Sequence, residues 1–210
     1  MTSPNEHRSP VRLSEIPRAL ENRFGPVEHE LHPGEGKHAS VALILRPPAA
    51  GAGRDPHALD TELLVIRRAV QDRDPWSGHM ALPGGRVQVE DRDLVATAVR
   101  ETMEETAVHL GTGALGRVDV MRPAGRGLPP ITIWPFVFKV DPSTPARVNS
   151  PREVDRVYWL RLAELTAERN RSVHRVTRDG TSFRFPCIRV EGEIIWGITY
   201  RILEGFLAVL

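Results

Sequence analysis

The chain has little that would cross-link it or hold it in a membrane. It contains one cysteine in 210 residues, so a disulfide within the chain is excluded, and Cys187 is expected to be a buried apolar thiol. The opening residues, MTSPNEHRSPVR, lack the apolar stretch of a signal peptide. No apolar run approaches the roughly 20 residues of a membrane helix. These absences predict a cytoplasmic protein with no membrane partner.

An excess of either charge is also missing. The 28 Lys and Arg residues nearly balance the 27 Asp and Glu residues, which gives a net charge of +1. Since nucleic-acid-binding domains usually carry a basic excess, this balance argues against a DNA or RNA partner. Hydrophobic residues make up 40% of the chain, enough to build a core. A length of 210 residues suits one domain with additions.

Hydrophobic periodicity predicts strands mixed with a few helices, and therefore a layered α/β or α+β domain. The Pro-, Gly- and Ala-rich stretch 47–60 is predicted to be a flexible loop, and whether it forms a lid or a dimer contact is left open. Residues 1–35 are predicted to form a tail and a short helix, followed by the main domain over 36–210. The predicted helices are 13–24 (with Ser14 as cap), 94–110 and 198–210, and the predicted strands are 39–47, 61–69, 131–140, 153–162 and two within 182–197.

The helix predicted over 94–110, between an N-cap at Asp93 and a stop at Gly111, carries a dense group of carboxylates. Glu101, Glu104 and Glu105 lie within five residues, and like charges at helical spacing repel by a few tenths of a kcal/mol per pair. A helical wheel places all three on one arc facing away from the apolar face. Either solvent absorbs this repulsion on an ordinary surface, or a divalent cation, which prefers oxygen ligands, offsets it.

The segment before this helix favours the cation. The stretch LPGGR contains Gly84 and Gly85, and glycine lets the backbone come close to a bound group. A Gly-Gly loop leading into a carboxylate-bearing helix places backbone amides beside a cation. The combination predicts a site for a metal and a phosphorylated ligand.

Residues 84–108, GGRVQVEDRDLVATAVRETMEETAV, resemble the Nudix box, G-x5-E-x7-R-E-u-x-E-E-x-G-u, where u is apolar. Arg100 and Glu101 match its R-E pair, Glu104 and Glu105 match its E-E pair, and Gly85 matches its opening glycine. The resemblance implies a Nudix hydrolase, with an α/β/α sandwich around a mixed β-sheet. It further implies hydrolysis of a nucleoside diphosphate derivative with Mg²⁺ or Mn²⁺, held by the three glutamates and braced by Arg100.

The match to the box has departures. The distance from Gly85 to Arg100 is one residue longer than in the pattern, and Arg92 stands where the first glutamate is expected. Asp91 and Asp93 are both candidates for the role of that glutamate. Thr102 replaces an apolar residue, and Ala107 replaces the late glycine.

The preceding segment, 63–85, is similar to the coenzyme A pyrophosphatase branch of the family. Arg67 and Arg73 fall on marked positions of that branch and are candidates to bind substrate phosphate, together with Gly84 and Gly85. This resemblance implies coenzyme A or a derivative as substrate. Two spacings are longer than in the pattern, so NTPs, ADP-ribose and dinucleotides remain alternative substrates. Relatives are commonly dimers, so a homodimer is also an expectation.

The general base is left open between Glu101 and Glu153, a loop residue just before a predicted strand. A different class of function is a nucleotide-binding regulator without catalysis. The intact R-E-x-x-E-E argues against that class, because non-catalytic domains of this kind tend to lose those glutamates.

Overall fold

The computed structural model describes residues 11–27, 36–49, 54–72, 76–123, 130–178 and 180–210. Its helices are α1 (Ile16–Phe24), α2 (Leu94–Thr106), α3 (Leu162–Thr166) and α4 (Gly197–Leu207). Its strands are β1 (His38–Arg46), β2 (Glu62–Arg68), β3 (Met80–Ala81), β4 (Gly84–Arg86), β5 (Gly116–Arg117), β6 (Thr132–Lys139), β7 (Val154–Arg161), β8 (Arg171–Arg178), β9 (Thr181–Val190) and β10 (Glu193–Trp196). Short 3₁₀ turns lie at Leu13–Glu15, Ala58–Asp60 and Glu168–Asn170.

Seven strands form one mixed sheet. Its path is β3-β2-β1-β6-β5, with β4 also paired to β1 and β7 also paired to β2. β1 and β6 are parallel, whereas the other pairs are antiparallel. β1 and β2 pair only through Leu45–Arg46 and Glu62–Leu63 and then separate. Beyond that point, β4 pairs with β1, and β3 pairs with β2. The Gly-Gly segment of β4 is therefore part of the sheet.

Helices cover both faces of this sheet. α2 packs on one face, where Val95 and Ala98 join a cluster with Ile44, Leu64 and Phe136. The other face holds a second apolar cluster, which includes residues of α1, α3, α4 and a small three-stranded sheet of order β10-β9-β8. The predicted α/β/α sandwich around a mixed sheet is therefore confirmed. Among the described residues, no helix is both long enough and apolar enough to cross a bilayer.

The N-terminal helix belongs to this core. α1 buries Ile16, Leu20 and Phe24 in the cluster that also contains α4. These positions repeat every four residues, which is the spacing that lets one face of a helix pack inward. The boundary predicted between 1–35 and 36–210 stays a prediction.

Part of the predicted 47–60 loop anchors this helix. The Ser14 amide and hydroxyl both donate to the Asp55 carboxylate, at 3.0 and 2.7 Å. The prediction that Ser14 caps the helix is therefore wrong, since its side chain binds the loop instead. Residues 50–53 of the loop lie outside the described residues.

Candidate active site

The acidic helix begins as predicted and ends earlier. The Asp93 side chain accepts a hydrogen bond from the Ala96 amide at 2.6 Å, so Asp93 is the N-cap. The helix ends at Thr106, and the stop predicted at Gly111 is wrong. Ala107 terminates it in the left-handed conformation, with φ of 57°, at the position where the Nudix box has its late glycine.

The three glutamates have different environments. Glu105 is buried, with 3% of its surface exposed. The Glu101 side chain is 13% exposed and that of Glu104 is 51% exposed. The prediction that all three face away from the core is wrong for Glu105, which shares the buried face of α2 with Ala98 and Thr102. The helix therefore holds one carboxylate inside the protein, one at its edge and one in solvent.

The two glycines of β4 lie directly against these carboxylates. The Gly84 amide donates to Glu105 Oε2 at 2.9 Å. A Cβ added to Gly84, whose φ is +152°, would stand 2.2 Å from the Ser40 carbonyl oxygen of β1. A Cβ on Gly85 would stand 2.3–2.4 Å from the three atoms of the Glu101 carboxylate. The backbone therefore requires glycine at position 84, whereas a side chain at position 85 would displace the Glu101 carboxylate.

Arg100 connects the loop to the helix. Its Nε and Nη2 donate to the two oxygens of Asp91 at 2.8 and 2.9 Å. Its Nη1 donates to Glu101 at 2.8 Å and to Glu104 at 3.2 Å, and Nη2 also reaches the Arg86 carbonyl at 3.1 Å. One guanidinium therefore contacts two of the three glutamates and the loop beside them.

Asp91 is the acid that pairs with this arginine. It also accepts hydrogen bonds from the Gln88 amide at 2.9 Å and the Thr97 hydroxyl at 2.8 Å. Burial alone would raise the pKa of Asp91, but the hydrogen bonds from Arg100 and these two donors lower it to about 2. Asp93 caps the helix instead. Of the two acids considered from the sequence, Asp91 takes the position beside Arg100.

The buried carboxylate has a strongly shifted pKa. Burial raises the pKa of Glu105 to about 8, against the opposing effect of the Gly84 amide. The charges of Glu101 and Glu153 raise it further, and the charge of Arg68 lowers it. Burial raises the pKa of Glu101 as well. Glu153, about fifty residues away in sequence, thus lies close enough to interact electrostatically with both glutamates.

Of the two predicted phosphate-binding arginines, the structure describes one, Arg67, and pairs it with carboxylates of neighbouring strands. Arg67 Nη1 binds Glu193 of β10 at 3.2 Å and lies 3.7 Å from Asp155. Glu193 also accepts a hydrogen bond from the Tyr158 hydroxyl at 2.9 Å. Arg67 is therefore engaged with the three-stranded sheet and β7. Arg73 lies outside the described residues.

Arg68 is a site residue that the sequence analysis missed. Its charge acts on Glu105, whereas Arg67 pairs with acids on β7 and β10. Strand alternation was the available signal: Leu64 packs on the α2 face, and a residue four positions later falls on the same face of a strand. A bulge in the pairing of β2 with β7 falls between Arg67 and Arg68.

The donor set fits a hard divalent cation in its chemistry. Glu101, Glu104 and Glu105 offer only oxygen ligands, which Mg²⁺ and Mn²⁺ accept. The carboxylates of Glu101 and Glu105 are close enough for their charges to interact, although Arg100 holds Glu101 and Glu104. In the part of the chain that the structure describes, no three His, Cys, Asp or Glu side chains already converge as a metal site. Mg²⁺ usually takes only one or two carboxylates and keeps several waters, so the donor set fits it without a converged cluster.

The chain is similar to known proteins over most of its length. The NUDIX domain model matches residues 45–179. An uncharacterized Nudix hydrolase NudL of Photorhabdus laumondii is 29% identical over 197 residues, which cover 92% of this chain and 95% of that protein. An uncharacterized protein of Schizosaccharomyces pombe is 37% identical over 109 residues, 49% of this chain. The chain spans 32% of the length of that yeast relative.

A solved structure supports the same fold. The MutT/nudix family protein from Enterococcus faecalis superposes with a TM-score of 0.52 at 14% identity, covering 94% of this chain and 67% of that one. Because the family model covers well over half of the sequence, the chain belongs to the Nudix hydrolases. The predicted family and the predicted enzyme class are confirmed.

Proposed function

We propose that this Nudix hydrolase cleaves the pyrophosphate bond of coenzyme A or a coenzyme A derivative, with Mg²⁺ or Mn²⁺ as cofactor. The main support for metal-dependent chemistry is the buried Glu105 carboxylate. It accepts a hydrogen bond from the Gly84 amide, and its charge interacts with that of Glu101. A buried carboxylate near like charges is stabilised when a cation binds it. The substrate branch is supported by the similarity of segment 63–85 to coenzyme A pyrophosphatases.

Each residue has a proposed part in this reaction. Glu101, Glu104 and Glu105 hold the cation, which when bound supplies positive charge against the negative diphosphate. Gly84 orients Glu105 through its amide, and Asp91 holds Arg100 in the position from which it orients Glu101. These contacts fix the carboxylates before substrate arrives, which limits the reorganisation needed for catalysis.

Positive side chains around the site are proposed to bind substrate phosphate. Arg67 and Arg73 stay candidates from the resemblance. For Arg67 to bind phosphate, its ion pair with Glu193 must first break. The influence of Arg68 on Glu105 supports adding Arg68 to this group. Gly84 and Gly85 bring the loop backbone to the same place.

We propose Glu153 as the general base that takes a proton from the attacking water. Its charge contributes to raising the pKa values of both Glu101 and Glu105, which supports a place for it near the carboxylates. Glu101, the alternative, accepts a 2.8 Å hydrogen bond from Arg100, which reduces its availability to a water. Loss of a general base costs about 10²–10⁴-fold in rate. A Glu153→Gln variant with that loss and an altered acidic limb in its pH–rate profile would support Glu153, and a wild-type profile would return the role to Glu101.

A substrate panel tests the proposed function. The enzyme is incubated with Mg²⁺ or Mn²⁺ and with coenzyme A, ADP-ribose, NADH, diadenosine polyphosphates or NTPs, and the products are identified. Release of 3′,5′-ADP and 4′-phosphopantetheine from coenzyme A is the expected result. Preferential turnover of another nucleotide would replace coenzyme A as the substrate, and binding without turnover would favour the regulator. Cytoplasmic location and a homodimer stay predictions from the sequence.

A further inference from the structure

The segment after β6 closes the C-terminal end of the acidic helix. The last four carbonyls of a helix have no partners within it. The Asn149 side-chain amide donates to the carbonyls of Met103 at 3.1 Å and Glu104 at 3.2 Å. The Asn149 backbone amide donates to the Glu105 carbonyl at 3.0 Å. Asn149 alone therefore binds three consecutive carbonyls, two of which belong to proposed metal ligands.

The same segment leads directly to the proposed base. The Ser150 hydroxyl donates to the Glu153 carboxylate at 3.2 Å, and the Glu153 amide donates to the Ser150 carbonyl at 2.9 Å. The Ala69 amide, just beyond β2, donates to the Glu153 carbonyl at 2.8 Å. The chain between Asn149 and Glu153 is thus tied at one end to α2 and at the other to the end of β2.

We infer that Asn149 is a positioning residue that sets the carboxylates of Glu104 and Glu105 relative to Glu153. The inference rests on the proposed function, since it takes those glutamates as the metal ligands. An asparagine suits this position because its amide offers two donors to two adjacent carbonyls. An aspartate would offer only acceptors and would add a negative charge at the negative end of the helix dipole.

The chain provides a matched control at another helix end. The Asn170 side-chain amide donates to the Glu164 carbonyl at 2.8 Å and to its carboxylate at 3.1 Å. Glu164 lies in α3, which packs on the face of the sheet opposite α2. Asn170 therefore also binds a helix end, but through one backbone carbonyl and on the face of the sheet opposite the proposed metal ligands.

The test compares Asn149→Ala, Asn149→Asp and Asn170→Ala with the wild type. Because the bonds from Asn149 are exposed, water can replace them, and Asn149→Ala should fold with Tm lowered by about 2–4 °C. The bonds from Asn170 are partly buried, so Asn170→Ala should lower Tm by at least as much. Mn²⁺ affinity is measured by electron paramagnetic resonance, and kcat and KM are measured against coenzyme A. Loss of a group that orients metal ligands typically costs about 10–100-fold in metal affinity or activity, which is the loss expected for Asn149→Ala. Asn149→Asp should lose more, and Asn170→Ala should bind Mn²⁺ as the wild type does.

Equal losses of Tm in the two alanine variants, with Mn²⁺ affinity and kcat unchanged in Asn149→Ala, would overturn the inference. If Asn149→Ala does not fold, Asn149→Ser, which keeps one uncharged side-chain donor, gives the same readouts. A Glu105→Gln variant separates the two failures. If it loses Mn²⁺ while Asn149→Ala does not, only the positioning role fails. If it also keeps Mn²⁺, the metal assignment fails and the inference fails with it.

Discussion

The buried Glu105 carboxylate should make the metal-free enzyme less stable as pH rises. Its pKa is about 8 in the folded protein, above the ordinary value of 4.5. Between those two pH values the folded state keeps a proton that the unfolded chain has released. The free energy of unfolding therefore falls as pH rises from the lower value through the upper one, and then levels off.

The size of this effect follows from the shift. One pKa unit corresponds to about 1.4 kcal/mol, so the contribution of Glu105 should fall by roughly 3–4 kcal/mol between pH 5 and pH 8. Domains are stable by only about 5–15 kcal/mol, so a loss of this size is measurable. Glu105→Gln keeps the shape of the side chain and an oxygen that can accept the hydrogen bond from the Gly84 amide, but the glutamine carries no charge. The variant should be close to the wild type at pH 5 and more stable by roughly 3 kcal/mol at pH 8.

Urea unfolding at pH 5 and pH 8 in the presence of EDTA measures this difference. Glu104→Gln is the control, because it makes the same substitution at a side chain of the same helix that is 51% exposed. Adding Mn²⁺ at pH 8 should stabilise the wild type and not Glu105→Gln, since a ligand stabilises only the state that binds it. Equal stability of Glu105→Gln and the wild type at pH 8 would refute the reasoning.

Three further predictions concern the loop and the helix end. Gly85→Ala should keep the fold and lose most activity, because the added methyl displaces the Glu101 carboxylate, whereas Gly84→Ala should misfold because its methyl meets main-chain atoms of β1. Circular dichroism and kinetic assays distinguish these outcomes, and a fully active Gly85→Ala enzyme would contradict the close packing. Asp91→Asn should lower Tm and activity together, since it removes the charge that holds Arg100. Because the folded protein lowers the pKa of Asp91 to about 2, the wild type should lose stability as pH falls from about 4 through about 2, and acid unfolding of Asp91→Asn should lack this loss. Ala107→Gly should raise stability by about 1 kcal/mol because alanine is strained at positive φ, with urea unfolding as the measurement; a less stable variant would show that strain at this position is not the dominant effect.

Elements with a strong apolar period were predictable from the sequence. β1, β2, β6 and β7 occur within a residue or two of their predicted positions, because each alternates or concentrates apolar side chains in a short run. β8 was not predicted. Its sequence, RSVHRVTR, has only two apolar residues, and its outer part pairs with β9 in a hairpin exposed to solvent, so tertiary pairing rather than local pattern makes it a strand.

The site was predictable to the extent that its residues are close in sequence. The Nudix box located Arg100 and the three glutamates, but the helical wheel misjudged Glu105, because burial at the helix end depends on the loop folded over it. Asp91 could not be separated from Asp93 by spacing alone, since the loop is one residue longer than the pattern. Contacts between distant segments, such as those of Asn149, leave no local signal.

The close approach of β4 to α2 links two positions in a way that bears on how the sequence can vary. Residue 85 has no room for a side chain because the carboxylate of residue 101 occupies that space. Residue 84 is limited instead by main-chain atoms of β1, which every sequence with this fold retains. Related chains should therefore keep glycine at 84 without exception, whereas a larger residue at 85 should accompany a shorter residue at 101. In an alignment of relatives, positions 85 and 101 should therefore covary. A chain with both changes should have lost the carboxylate of residue 101 as a metal ligand.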